Sequence, residues 1–124
     1  MSKKDSGLSC PIAGTLDVFT GKWKPEILWQ LKGQRMRFNQ LQRAVGGVSQ
    51  KMLAQQLRDL ERDGLVTRIQ FDSIPPHVEY EATDLVKTLE PIFDALETWY
   101  GDNGEAVQIS RDRYQAKNST QSPI

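Results

Sequence analysis

The spacing of apolar positions changes along this 124-residue chain, and each change predicts an element. Ile12, Leu16 and Phe19 lie on one side of a helix. Pro11 suits its first turn with Cys10 at or next to the cap, and Gly21 ends it. A second helix is expected from about Lys24-Pro25 to Lys32-Gly33, with Ile27, Leu28 and Leu31 inward. Phe38, Leu41 and Val45 mark a third helix of barely two turns, closed by Gly46-Gly47. Ser49 is a good N-cap for a fourth, "SQKMLAQQLRDLERDG", in which Leu53, Leu57 and Leu60 repeat at i, i+4 and i+7 before Gly64. Two β-rich segments follow, "LVTRIQF" and "HVEYEAT"; the intervening "DSIPP" reads as the tip of an antiparallel hairpin. Thr83 is then expected to cap a long amphipathic helix with Leu85, Leu89, Ile92, Phe93, Leu96, Trp99 and Tyr100 at helical spacing, bent at Pro91. That stripe is too wide for one small domain. Residues 1–9 read as a flexible N-terminus, 10–104 as the folded domain, and 105–124 as a polar, partly disordered tail.

The fold class this order gives is mainly α with a small β-hairpin wing: three short helices, a glycine turn, a fourth helix and a hairpin form a winged helix-turn-helix. In a helix-turn-helix the second helix of the pair lies in the major groove, so its outer face must be polar while its inner face is apolar. With the leucines inward, Ser49, Gln50, Lys51, Ala54, Gln55 and Arg58 come to the start and outer face of the fourth helix. Glutamine pairs with adenine, lysine with guanine or phosphate, and alanine touches a thymine methyl. The plainer reading, a solvated helix face, uses the same residue types.

Composition changes this picture in one respect. The formal net charge is zero, which by itself argues against a nucleic-acid partner. The charge is segregated, however: residues 1–48 carry +5, 49–71 carry +1, 72–105 carry −8 and the remainder +2. Lys22, Lys24, Lys32, Arg35, Arg37 and Arg43 supply the basic half, as phosphate contacts or as ordinary surface. Arg68 on the first strand and His77 beyond the prolines stand where a wing meets the backbone or minor groove, although His77 reads equally as a polar loop residue.

Other chemistry is sparse. No apolar run nears the roughly 20 residues of a membrane span, and the opening "MSKKDSGLS" lacks a signal-peptide core, so a cytoplasmic protein with no membrane partner is expected. One cysteine and one histidine build no ordinary zinc site, and no phosphate-binding glycine loop is present; neither cofactor nor metal is expected, and a Cys10–His77 pair would require the wing to fold back over the first helix. An enzyme is therefore disfavoured. The stronger rival to DNA binding is a winged helix used only for protein contacts.

The run from Cys10 to Arg68, "CPIAGTLDVFTGKWKPEILWQLKGQRMRFNQLQRAVGGVSQKMLAQQLRDLERDGLVTR", closely resembles the HxlR-type, MarR-like bacterial transcriptional regulators. The likeness rests on Gly21-Lys22-Trp23, Arg37-Phe38, Ser49-Gln50, Asp63-Gly64-Leu65-Val66, Pro75-Pro76 and Val78-Glu79-Tyr80, and covers about residues 10–100. The family's usual Leu-Thr after the wing and later glycine are replaced by Ala82-Thr83 and Val86. The resemblance implies a homodimer joined through its N- and C-terminal helices, to which Leu16, Leu89, Phe93, Leu96, Trp99 and Tyr100 would contribute, acting on an inverted-repeat operator in double-stranded DNA. Repression is expected over activation. Several members of the family sense oxidants or electrophiles at a cysteine in the place of Cys10. From the residues alone, Cys10 is either a thiolate favoured by a helix N-terminus or a plain structural cap. A small-molecule effector site between the wing and the dimer helices is a further expectation, with no residue naming its ligand.

Overall fold

The computed structural model describes residues 10–120; the expected flexible N-terminus lies outside the described residues. The elements run α1 (Pro11–Phe19), α2 (Lys24–Gln30), β1 (Met36–Arg37), α3 (Phe38–Val45), α4 (Gln50–Arg62), β2 (Val66–Phe71), β3 (His77–Ala82), α5 (Asp84–Lys87) and α6 (Glu90–Thr120). Two compact units result, one ending at Lys87 and one beginning at Thr88.

The first unit is organised around the inner face of α4. Leu53, Leu57 and Leu60 are at most 2% exposed, and Ile27, Leu28, Leu31 and Leu41 are buried with them. Each such side chain contributes on the order of 2 kcal/mol by leaving water. Gly46 and Gly47 take left-handed backbone angles, φ 74° and 79°, which reverse the chain between α3 and α4. The Gln42 side-chain amide donates to the Val48 carbonyl across this turn at 3.0 Å. At the other end of α4 the Leu65 amide donates to the Leu60 carbonyl at 2.9 Å, a Schellman closure that needs Gly64 at φ 83°.

The expected hairpin forms with Val66 opposite Ala82 and Phe71 opposite His77, and it gains a third strand. β1 pairs with β3, Met36 opposite Tyr80 and Arg37 opposite Glu79, giving an antiparallel sheet in the order β1-β3-β2. Two residues are too few to show an alternating pattern, which is why the sequence predicted no strand there.

The end of the fold departs from expectation. The Thr83 hydroxyl does not cap a helix: it donates to the Gly64 carbonyl at 2.6 Å while the Thr83 amide donates to the Leu65 carbonyl at 3.0 Å, tying the base of the hairpin to the end of α4. The single long helix is instead a short α5, with Val86 buried, and a separate α6. Pro91 is the second residue of α6, where its missing N–H leaves no helical bond unmade, so it starts a helix and does not bend one. Nor does α6 stop at Gly104. The Tyr100 ring covers this glycine, 3.1–3.2 Å from where a Cβ would stand, and helix continues through Thr120 where a polar tail was expected. Good helix formers and an i,i+4 bond from Gln108 to Asp112 at 2.9 Å sustain it.

Leu57→Ala should cost about 3 kcal/mol of unfolding free energy through the cavity it leaves, whereas Gln50→Ala on the outer face should change it by under about 0.5 kcal/mol. Urea titration checks both; equal effects would contradict this placement of the core.

Candidate nucleic-acid interface

Ser49 starts α4 as expected, its Oγ accepting from the Met52 amide at 3.0 Å. The cap and the glycine turn fix where the helix begins, and the buried leucines fix its rotation. Gln50, Lys51, Gln55 and Arg58 are consequently exposed, with Ala54 half-buried between them. The Arg58 guanidinium donates to Gln55 Oε1 at 2.9 Å, and the Gln55 amide donates to Asp59 Oδ1 at 3.0 Å. The Gln55 and Arg58 side chains are thus held beside one another on the outer face of α4.

The upstream basic residues separate into two sets. Lys22 and Arg37 are exposed, Lys22 lying 4.8 Å from the centre of the Trp23 ring. The Arg37 amide donates to Gln40 Oε1 at 2.9 Å at the start of α3. Lys24 belongs elsewhere. It is buried, only 9% exposed, with Nζ 3.9 Å from Asp59 Oδ2, so it braces α2 against α4 and offers no ammonium to a phosphate. Arg35 is likewise occupied, 2.9 Å from Glu81 and 4.0 Å from Glu79 on the sheet. Asp59 was not singled out from the sequence, yet it meets Lys24, Gln55 and Arg62. Only the register of two packed helices reveals it. Arg62 is held charged: its hydrogen bond to Asp63 raises its proton affinity first, then the charges of Asp63, Asp59 and Asp17.

In the wing, Arg68 is exposed on the strand face that carries Tyr80 opposite it. His77 is not a free tip residue. It stacks on Phe71 at 4.7 Å, its Nε2 lies 3.0 Å from Glu79 and its Nδ1 3.0 Å from the Ser73 hydroxyl. These contacts make it a wing-stiffening residue and give it partners other than a thiol. Ile74 at the tip is almost wholly exposed.

Cys10 occupies the N-cap position of α1, exposed, with no side-chain capping bond. Leu16 is exposed on α1, Leu96, Trp99 and Tyr100 are exposed on α6, and Leu89 and Phe93 are half-buried. Among the described residues no group of His, Cys, Asp or Glu is arranged to hold a metal, and no helix is long and apolar enough to cross a membrane.

A capped helix after a glycine turn, with a polar basic outer face and a two-stranded hairpin following it, defines a winged helix-turn-helix DNA-binding protein. The HxlR-like helix-turn-helix family pattern matches residues 18–108, and the chain belongs to that family. It is a transcriptional regulator and not an enzyme. The HTH-type transcriptional regulator YdeP of Bacillus subtilis is 36% identical over 115 residues, covering 93% of this chain and 87% of YdeP. The crystal structure of the HTH-type regulator ytcD superposes with a TM-score of 0.73 at 41% identity, over 77% of this chain and 98% of that one. The redox regulator HypR in its reduced form superposes with a TM-score of 0.74 at 38% identity, over 80% and 98%. HypR has also been solved oxidised.

Asp59→Ala should leave the Lys24 ammonium buried without a carboxylate and cost about 1–3 kcal/mol of stability. Lys24→Met in the same background should recover part of that loss in urea titrations; no recovery would mean that the pair is not coupled.

Proposed function

We propose that the protein works as a homodimer that reads an inverted repeat in double-stranded DNA and represses transcription. The observation that carries this reading is the outer face of α4, where Gln50, Lys51, Gln55 and Arg58 stand exposed on a helix whose start and rotation are both fixed. Gln50 and Gln55 supply the paired donor and acceptor that adenine requires, and Arg58 the fork that guanine requires. Ala54 leaves room for a thymine methyl. Lys22 and Arg37 beside the groove, and Arg68 on the wing, serve as phosphate contacts that set the register and carry no base information. Lys24 is left out of this set by its burial beside Asp59, and His77 by the stacking on Phe71 and the bonds to Ser73 and Glu79 that hold it within the wing.

A two-fold dimer sets two copies of α4 about one DNA turn apart, roughly 34 Å, and accounts for an operator with mirror-related halves. The exposed apolar side chains on α1 and α6 support that dimer, since Leu16, Leu96, Trp99 and Tyr100 lie open on two helices. Leu89 and Phe93 belong to the same interface. The exposed Cys10 sulfur at the head of α1 favours a regulator that answers oxidants or electrophiles, as the likeness to the redox regulator HypR also suggests. With no second cysteine in the chain, its oxidised product is an interchain disulfide, a mixed disulfide or an adduct. A cytoplasmic location follows from a DNA partner.

Selection from a random duplex pool with the reduced protein should enrich an inverted repeat. On that duplex Arg37→Ala should weaken binding uniformly and lower the salt slope by about 1, while Gln55→Ala should relax the preference at one base pair in each half, worth about 1–3 kcal/mol. Enrichment of no sequence would overturn the reading and point to a protein partner. Diamide should release the duplex from the native protein and leave Cys10→Ser bound; equal release from both would remove Cys10 from regulation.

A further inference from the structure

The two ends of the Gln55 amide match in shape and differ in chemistry, and neighbours on α4 choose between them. A carboxylate only accepts hydrogen bonds and a guanidinium only donates them. Asp59, one turn on, therefore takes the amide nitrogen, with Gln55 Nε2 donating to Asp59 Oδ1 at 3.0 Å. Arg58 takes the oxygen, its Nη2 donating to Gln55 Oε1 at 2.9 Å. Exchanging the ends of the amide would set donor on donor and acceptor on acceptor, so both bonds select one orientation. A side-chain amide carries two N–H donors and an oxygen with two lone pairs. One of each is used here and one of each remains, which is the donor and acceptor that adenine N7 and N6 require.

Asp59 reaches Gln55 from the scaffold side of the helix. Its side chain is 23% exposed, and its second oxygen lies 3.9 Å from Nζ of Lys24, a buried residue of α2. Arg62 Nη1 stands 3.7 Å from Oδ1. These two cations offset a negative charge that would otherwise repel phosphates beside the groove. Resting on the reading of α4 as the groove-facing helix, we infer that Asp59 is a specificity-determining positioning residue: it touches no base, and it fixes the orientation in which the Gln55 amide meets adenine. Glutamine is among the side chains that lose most rotamer freedom when held. The bonds to Asp59 and Arg58 impose that ordering before DNA binds, so less of it is left to oppose binding.

The test uses the full chain and the inverted repeat that the parent protein selects, with the base pair identified by Gln55→Ala changed in both halves. Asp59 is replaced in the Lys24→Met background, so that no buried ammonium loses its partner and one charge of each sign is removed. Lys24→Met/Asp59→Ala should lower the preference at that base pair about fivefold and change affinity for an unrelated duplex by less than about twofold. Lys24→Met/Asp59→Asn keeps an oxygen for Gln55 and Arg62, and its preference should stay within about twofold of the parent. Added to Gln55→Ala, the same replacements should alter base preference no further. An Asp59 that only braces the fold would on removal weaken every duplex alike; that result, or equal preference in the alanine and asparagine variants, overturns the inference. In the free native protein the Gln55 side-chain amide should be as ordered as the helix backbone, with an order parameter of about 0.85, and a value below about 0.6 overturns the inference even where a variant fails to fold. If no repeat is selected, or Gln55→Ala relaxes no base pair, the reading of α4 falls together with this inference. If Gln55→Ala relaxes one and the alanine variant at position 59 does not, the role of Asp59 alone is overturned.

Discussion

The outer face of α4, which the proposed reading sets in the major groove, depends on the burial of three leucines. Leu53, Leu57 and Leu60 are at most 2% exposed, and because a helix has no freedom to turn once one stripe is buried, they decide which side chains of α4 point outward. Its start is fixed separately, by the Ser49 cap and by two glycines in the left-handed region. Rotation and start together place Gln50, Lys51, Gln55 and Arg58. A groove-reading helix must be held this firmly, since base discrimination is lost when side chains shift by a fraction of a hydrogen-bond length.

The charged residues divide by what they meet. Lys24 and Arg35 brace the scaffold: each pairs with a carboxylate on another element, Lys24 with Asp59 of α4 and Arg35 with Glu79 and Glu81 of β3. Lys22, Lys51, Arg37, Arg58 and Arg68 are exposed. The zero net charge is thereby reconciled with a polyanionic partner, because several of the acids that cancel the basic residues either neutralise scaffold cations on the sheet or lie on α6, and the exposed cations of the first unit remain available.

Much of this was legible in the sequence, and the failures have identifiable causes. α1 to α4 and the two long strands announce themselves by helical or alternating periodicity and by glycines at their ends. β1 escaped because two residues have no period. Thr83 reads as a helix cap in the sequence because capping and clamping need the same hydroxyl; only the position of the Gly64 carbonyl distinguishes them. Polar composition after Gly104 reads as a partly disordered tail, but Gln, Ala, Lys and Arg are also helix formers, and α6 uses them to run on through Thr120. Individual contacts were the least legible. By residue type Lys24 reads as a surface cation and His77 as a wing contact or a polar loop residue, and their partners, Asp59 at 3.9 Å and Glu79 at 3.0 Å, are set by packing and strand register.

The central claim, that two copies of α4 read mirror-related half-sites, is tested most directly by a hydroxyl-radical footprint on a duplex selected by the protein. Two protected patches related by a two-fold axis, with centres about 10 base pairs apart, are the result this account requires. A single unsymmetrical patch, or uniform protection with no boundaries, would contradict it.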